Sequence, residues 1–494
     1  MTGVRPPQTG MAATATKIGL NLVSLVASRF VALALTLVQM AIIFRVMDVE
    51  ARGVFGFSMQ FTSLFTVFAT LGIQRLLVRD IARDPTLAWT HVWTAFFVVV
   101  ALSGAVMLAI AASALYVEHS APNRLSMLFA GGWVVLLWAW QRPFEGLLIA
   151  RERMDLVSIV TVTASVLKIG TVYCLIRLSA TSASAHAAIF IATGASFLLC
   201  VWFAFRVCGW ARPQFQWALA LQQVRECYPF AVAMLCSLVY FKSDMSLLKF
   251  LRGDLEAGIY TPPQRVMEPL LMIAGLWGTA VFPALCRFSH TSPEDYTAVR
   301  KTSLRFALLA AVPMAFGLAL TAKPVIDILT GSDPEAQGSV FVLKVLAAMT
   351  PFFYLNGIAQ EFFYAIHRNW FVVIAYAAGA ACNVAGNLFA IPAYGATGAA
   401  VVAVFTNAFI SGFFILGLRG AFGGMHLPTL VSKSLLACGA MSLVFLAAAP
   451  FSLILGISVG AVAYLALLLL LRTFEPAERD LMRAMGAAVW RRRG

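Results

Sequence analysis

Long apolar runs, separated by short polar connections, extend over most of the chain. Runs of about twenty apolar residues are typical of transmembrane helices, and the pattern contains fourteen of them. The predicted spans are 18–47, 53–75, 89–117, 125–150, 155–178, 185–206, 227–251, 259–286, 303–329, 339–366, 370–391, 396–418, 430–449 and 451–471. The longest connections are 76–88, 207–226, 287–302 and 419–429, too short for a soluble domain. The pattern therefore predicts an all-α integral membrane protein.

A short sequence repeat divides these spans into two halves. Asp48-Val-Glu-Ala-Arg-Gly-Val-Phe55 follows the first span, and Asp254-Leu-Glu-Ala-Gly-Ile-Tyr260 follows the seventh. Two six-helix halves related by an axis along the membrane normal are a known transporter architecture, although two short turns can also match by chance. The predicted organisation is an N-terminal lobe at 1–206, a cytoplasmic linker at 207–226, a C-terminal lobe at 227–418, two further helices at 419–471 and a basic tail at 472–494.

Charge gives this membrane protein a predicted orientation. The chain is 61% hydrophobic, with a mean hydropathy of +0.85 and a formal net charge of +14. With the N-terminus inside, 24 of the 36 basic residues fall in cytoplasmic segments and helix ends, and seven fall on the opposite side. Basic residues concentrate in cytoplasmic loops of membrane proteins. Both termini are therefore predicted to be cytoplasmic, and the positive charge requires no nucleic-acid partner.

The sequence contains no enzyme motif. There is no P-loop, no HExxH and no GxSxG with partner residues. The eight cysteines lack metal-type spacing and the six histidines are scattered. We therefore predict neither a catalytic activity nor a metal nor a cofactor, and no direct use of ATP by this chain.

Charged residues inside the apolar runs are the candidate functional residues. Arg29, Lys242 and Arg265 lie in the first, seventh and eighth predicted spans. A charge at the bilayer centre is costly and normally faces a protein interior or a water-filled path. Three such cations indicate a positively charged cavity for an anionic substrate, since arginine and lysine both bind phosphate. The alternative for Arg29 is snorkelling or pairing with another helix.

Five further charges have less defined predicted roles. Lys168 and Lys344 each stand alone in a span, and we favour a structural role over cavity lining. Asp244, Glu268 and Glu361 are candidates for ion coupling or for counter-ions of neighbouring bases. Glu268 lies three residues after Arg265, so the two share a helix face and can pair.

Short motifs in both halves resemble polysaccharide-unit flippases of the Wzx type. This family shares a superfamily, the MOP exporters, with the lipid II flippases and the MATE exporters. The motifs are Gly53-Val-Phe-Gly-Phe57, Leu71-Gly72, Arg79-Asp80-Ile-Ala-Arg83, Pro229-Phe, Asp244, Glu256-Ala-Gly-Ile-Tyr260, Pro283-Ala-Leu-Cys-Arg287, Asn383 with Asn387, and Tyr394-Gly-Ala-Thr-Gly398.

The resemblance implies a two-lobed helical fold around a cationic central cavity in the bacterial inner membrane. It implies a transporter that carries a polyprenyl-diphosphate-linked oligosaccharide across the membrane by alternating access, for O-antigen, capsule or exopolysaccharide synthesis. Its expected partners are that substrate, membrane lipids, H⁺ or Na⁺ as a coupling ion, and polysaccharide polymerase machinery.

Two other functions are compatible with the sequence. A MATE-like exporter of small cations would need a functional carboxylate deep in the first half, where Glu145 is the one acidic residue between Thr90 and Cys208 expected within the membrane. A non-transporting scaffold of a polysaccharide assembly complex would tolerate neutralisation of the intramembrane charges.

Overall fold

The chain folds into helices, as the hydrophobic pattern predicts. The structure is a computed structural model that describes residues 28, 30–151, 153–366, 368–418, 427–449 and 452–474. Within these ranges there is no β-strand. The helices are α1 (Phe30–Val46), α2 (Val49–Leu64), α3 (Thr66–Thr70), α4 (Ile73–Arg83), α5 (Ala88–Val117), α6 (Ala121–Gly131), α7 (Trp138–Ala150), α8 (Met154–Leu178), α9 (Ser182–Cys208), α10 (Trp217–Arg252), α11 (Asp254–Thr291), α12 (Pro293–Leu320), α13 (Ala322–Thr330), α14 (Gln337–Ala347), α15 (Thr350–Ala365), α16 (Asn369–Gly417), α17 (Leu427–Ala448) and α18 (Leu453–Leu470).

Several helices are long and apolar enough to cross a membrane. Seven helices meet this criterion in the described part of the chain: α5, α8, α9, α12, α16, α17 and α18. The helical segments on either side of Ala348 and Met349 meet the criterion together, with a 43° bend, and form an eighth candidate. A multi-pass membrane protein follows from these helices, whereas the count of fourteen spans stays a prediction.

The 49-residue helix α16 is folded back on itself at Gly395. Gly395 has φ 55° and ψ −135°, a backbone conformation that glycine adopts without a Cβ clash. The two halves then pack antiparallel, which brings the rings of Phe371 and Phe413 to 5.1 Å between centroids. These halves correspond to the predicted spans 370–391 and 396–418.

Four predicted spans are interrupted in the structure. The span 125–150 contains the π-helical turn Gly132–Leu137, and the span 339–366 is bent by 43° at Ala348 and Met349. The span 53–75 is divided into α2, α3 and the start of α4. Helix α2 ends before Phe65, and Leu71 (φ 48°) and Gly72 (φ 75°) take left-handed conformations that end α3 and begin α4. The span 303–329 is divided at Thr321 between α12 and α13. Pro324 accounts for this break, since a proline in the interior of a continuous helix would clash with the preceding turn.

The segment 217–226 is helical, although the sequence reading placed it in a connection. Helix α10 begins at Trp217, ten residues before the predicted span at 227. Alanine, leucine, glutamine, arginine and glutamate favour helix, and they extend α10 beyond its apolar run. Gln223 on this extension is buried and donates from Nε2 to the carbonyl of His91 (3.3 Å).

The contacts divide the chain into two compact units. Unit 1 comprises Met1–Pro262 and Asp327–Ala336, and unit 2 comprises Pro263–Ile326 and Gln337–Gly494. Buried aromatic side chains fill both, with Phe44, Phe55, Phe57 and Phe144 in unit 1 and Tyr354, Phe362, Phe363 and Phe414 in unit 2. These units have other bounds than the predicted lobes at 1–206 and 227–418, and the lobe assignment stays a prediction.

Helices α17 and α18 pack on α12 within unit 2. The Tyr464 hydroxyl donates to the carbonyl of Leu309 (2.8 Å) and lies 2.8 Å from Ser434 Oγ. Lys433 Nζ donates to the carbonyl of Leu471 (2.9 Å). Polar contacts therefore fix the two additional helices on the rest of unit 2.

Candidate functional site

The two copies of the sequence repeat pack against each other in unit 1. A Cβ atom on Gly53 would lie 1.9 Å from the carbonyl oxygen of Asp254, and one on Gly258 would lie 1.8 Å from the carbonyl oxygen of Val49. The contact is reciprocal, because the glycine of each copy meets a carbonyl at the start of the other. We call this contact between the first turns of α2 and α11 the repeat crossing. It explains why both copies contain a glycine.

Ion pairs surround the repeat crossing. Lys249, near the end of α10, pairs with Asp254 (2.7 Å) and with Glu118 (2.5 Å). Arg124 donates from Nε to the carbonyl of Glu118 (2.7 Å), and Asp48 caps α2 by accepting from the amide of Ala51 (2.7 Å). The sequence assigned Lys249 and Arg124 to the side opposite the cytoplasm and indicated no role for them, because their partners come from distant segments.

Two arginines hold the segment 327–336 on unit 1. Arg52 is 2% exposed, donates from Nε to the carbonyl of Phe44 (2.9 Å) and pairs with Asp333 (2.8 Å). Arg45 donates from Nε to the carbonyl of Ile328 (2.9 Å). In the sequence, only the position of Arg52 inside the first repeat copy indicated a role for this residue, and its contact with the segment 327–336 was not predicted.

The motif Arg79-Asp80 connects α4 to α10 within unit 1. Arg79 Nε donates to Asp80 Oδ1 (2.7 Å), and its Nη2 donates to Glu226 on the extension of α10. These two hydrogen bonds raise the pKa of the Arg79 guanidinium above its usual value. The charges of this motif therefore have a structural use.

The three cations proposed to bind substrate are distributed over the two units. Lys242 lies half-buried on α10 in unit 1, and Arg265 lies on α11 in unit 2, where it is 3% exposed. Arg265 Nη1 donates to both carboxylate oxygens of Glu268, at 2.8 and 3.0 Å, so the ion pair expected from their spacing is present. Arg29 lies outside the described residues. The common cationic cavity stays a prediction.

The remaining acidic candidates lie in polar networks. Asp244 is buried on α10 and accepts a hydrogen bond from the Tyr260 hydroxyl (3.2 Å). Glu361 on α15 accepts a hydrogen bond from Gln360 Nε2 (3.4 Å). Oε1 of Gln360 in turn accepts a hydrogen bond from the Tyr376 hydroxyl (2.9 Å). Among the described residues, no group of three histidine, cysteine, aspartate or glutamate side chains could hold a metal ion.

Glu145 has a basic partner on its own helix. Arg142 Nη1 lies 3.2 Å from Glu145 Oε2, donates to Gln74 Oε1 (3.1 Å), and stacks 3.7 Å from the ring centroid of Trp138. The buried carboxylate of Glu145 is therefore neutralised in this structure.

The two lysines that were given a structural role differ in their surroundings. Lys344 lies exposed in the last turn of α14. Lys168 on α8 is half-buried, with its Nζ 5.5 Å from the centroid of the Trp133 ring. Trp133 belongs to the π-helical turn Gly132–Leu137 and donates from Nε1 to His186 Nδ1 (3.2 Å).

Comparisons with known proteins give the context for this arrangement. A family model described as "Polysaccharide biosynthesis protein" matches residues 18–289, more than half of the 494 residues. No curated protein sequence matches the chain significantly.

Solved structures of membrane transporters share the fold. The lipid II flippase MurJ in an inward closed conformation aligns with a TM-score of 0.74 and 14% identity, over 93% of this chain and 99% of that chain. An inward-facing MATE family multidrug resistance transporter of the MOP superfamily aligns with a TM-score of 0.63 and 14% identity, over 81% and 95%. A MOP superfamily transporter from Pyrococcus furiosus, whose binding pocket is described as reversed in polarity, aligns with a TM-score of 0.58 and 14% identity, over 81% and 95%.

Proposed function

The chain belongs to the family of polysaccharide biosynthesis proteins, and from this premise we propose that it flips a polyprenyl-diphosphate-linked oligosaccharide from the cytoplasmic to the periplasmic leaflet of the bacterial inner membrane. The family match over residues 18–289 is the observation that carries the proposal. A fold shared with a lipid II flippase over 93% of the chain supports it. The released unit would supply surface polysaccharide synthesis by polymerase machinery.

The proposed mechanism is alternating access. Arg29, Lys242 and Arg265 neutralise the diphosphate, the sugars occupy an aqueous path, and the prenyl chain stays in lipid. The negative charge of the diphosphate must be neutralised, because an unpaired charge in the membrane interior costs a few kcal/mol or more. The membrane potential or an H⁺ or Na⁺ gradient drives the cycle, and Asp244 is the first candidate for coupling, being buried and bonded to Tyr260.

The state of the carboxylates favours an anionic substrate over a cationic one. An exporter of cations needs a buried carboxylate that a cation or proton can reach. Glu118 and Glu145, both buried in unit 1, pair with Lys249 and Arg142. A MATE-like exporter remains the second candidate, because MATE transporters share the fold.

A deletion strain tests the proposed step. We expect surface polysaccharide to disappear and its lipid-linked repeat unit to accumulate, accessible to a membrane-impermeant label only from the cytoplasmic side. The intact gene should restore both, and Arg29→Glu should not, at an unchanged protein level. Normal polysaccharide with altered sensitivity to cationic dyes would favour the exporter. If a variant with all three proposed cations neutralised restored surface polysaccharide, a scaffold function would be favoured.

A further inference from the structure

The face of α8 that packs into unit 1 is less deeply buried in the middle of the helix than near its ends. Val160, Val172 and Ile176 are buried, at 2%, 0% and 3% exposure, while Ile159, Val166 and Tyr173 on the opposite face are about half exposed. Successive residues rotate by about 100° around a helix, which places Lys168 on the face of Val160 and Val172. Thr161, Ser165 and Lys168 on this face are half-buried. Lys168 therefore points into unit 1 and away from the lipid-facing side.

Among the residues that the structure describes, Lys168 has no acidic partner. In the described part of the chain, no carboxylate lies within 4.0 Å of its Nζ, and the Trp133 ring at 5.5 Å is its aromatic neighbour. An ammonium group presents three N–H donors, and one aromatic face satisfies a fraction of their bonding capacity. A cation in the membrane interior without a counter-ion is costly, and the described residues supply no carboxylate beside Lys168.

Hydrogen bonds and ring stacking hold the Trp133 side chain, the aromatic neighbour of Lys168, in place. An indole N–H can only donate, so His186 Nδ1 accepts from Trp133 (3.2 Å) and its Nε2–H donates to the carbonyl of Phe55 (3.2 Å). His186 is fully buried and stacks on Phe55 at 4.3 Å between ring centroids. Because α2, α9 and the π-helical turn all contribute to this network, the Trp133 ring beside Lys168 is held in place without a ligand.

We propose that Lys168 and Trp133 form an oxyanion-binding subsite inside unit 1, which takes the anionic group of the transported lipid-linked saccharide. The subsite rests on the proposed function for the identity of its ligand. The oxyanion comes either from the diphosphate or from the carboxylate of an acidic sugar, since both accept hydrogen bonds from an ammonium group. Lys168 is then a binding residue, which reverses the structural role that its isolation in the sequence favoured.

Calorimetric titration of the purified full-length protein in detergent tests the subsite. The probes are farnesyl diphosphate, sodium glucuronate and uncharged farnesol, which controls for partition into the micelle. Loss of a charge-assisted hydrogen bond in Lys168→Met should weaken farnesyl diphosphate binding roughly 10- to 100-fold, whereas Lys168→Arg should stay within a few fold of the wild type. A larger effect on glucuronate would identify an acidic sugar as the source.

Arg177→Met is the matched control for these titrations. Arg177 is a second cation on α8, exposed and stacked on Tyr173 at 4.8 Å, so its loss should leave binding unchanged. Thermal unfolding of each variant separates misfolding from loss of binding, and Lys168→Arg keeps the test valid if the methionine variant is unstable. Equal farnesyl diphosphate and glucuronate affinities for Lys168→Met and the wild type would overturn the subsite.

The deletion strain separates this subsite from the flippase function. Accumulated repeat unit in the deletion strain, together with full complementation and normal probe binding by Lys168→Met, would overturn the subsite alone. Normal surface polysaccharide in the deletion strain, with probe binding still dependent on Lys168, would preserve the subsite and reject the flippase. Loss of both complementation and binding in Lys168→Met, with Lys168→Arg restoring both, is the expected result.

Discussion

Adding one methyl group at the repeat crossing should disrupt the packing of unit 1. In Gly53→Ala the new Cβ would start 1.9 Å from the carbonyl oxygen of Asp254, and an ordinary contact begins near 3.4 Å. The first turns of α2 and α11 would have to separate by about 1.5 Å, and overpacking of this kind costs about 1–3 kcal/mol. The obstructing atoms are backbone, so no side-chain rotation relieves the clash.

A glycine without close neighbours provides the control. Gly104 lies in α5 with no atom within 4 Å of a built Cβ. There, alanine should be neutral or stabilising by about 0.5–1 kcal/mol, because glycine weakens a helix interior. Thermal unfolding of the purified variants should show Gly53→Ala melting several degrees below Gly104→Ala, at about 2 °C per kcal/mol for a large chain.

The double variant Gly53→Ala with Gly258→Ala gives a sharper test. One displacement of α2 from α11 relieves both clashes, so the double variant should be destabilised by less than the two single effects added together. Independent clashes would give additive losses instead. If Gly53→Ala and Gly104→Ala unfold at the same temperature, then the reciprocal glycine contact is absent and the reasoning is wrong.

Three other substitutions test separate parts of the molecule. Arg52→Ala should lower the stability of purified protein by up to about 3 kcal/mol, because it removes the pair between buried Arg52 and half-buried Asp333, and a charge swap of the two residues should recover part of the loss in thermal unfolding. Glu268→Gln should retain surface polysaccharide if Glu268 is only the counter-ion of Arg265, whereas loss of polysaccharide at normal protein level would assign it to ion coupling. Tyr464→Phe should cost about 1 kcal/mol through its lost hydrogen bond and leave polysaccharide intact, so a polysaccharide defect would contradict a packing role.

Helix content and approximate span positions were predictable, because long apolar runs in a sequence identify membrane helices. The two halves of α16 were separated correctly, since Pro392 and Gly395 interrupt the run between them. The break at Leu71 and Gly72 was not predicted, because hydropathy continues across it and only the backbone angles show the left-handed turn. Apolar length therefore predicts where helices lie and misses breaks that backbone conformation introduces.

The candidate site was less predictable, because its contacts join segments far apart in the chain. The pair Arg265 and Glu268 could be expected, since both residues lie on one helix face. The repeat was visible in the sequence, whereas the reciprocal contact of Gly53 with Gly258 required the tertiary structure. Lys168 was assigned a structural role because a single helix shows no partner, and its aromatic neighbour Trp133 comes from another helix.

Pairing separates the charges that hold the fold from those available to a ligand. An anion that binds Arg265 must compete with Glu268, which already accepts two hydrogen bonds from the same nitrogen. At Lys168 no carboxylate of the described residues has to be displaced, so a bound anion gains the full charge-assisted interaction. Binding energy in unit 1 should therefore depend more on Lys168 than the spacing of charges along the sequence suggests. Arg265 should contribute most in a state of the transport cycle in which Glu268 is protonated or has moved away.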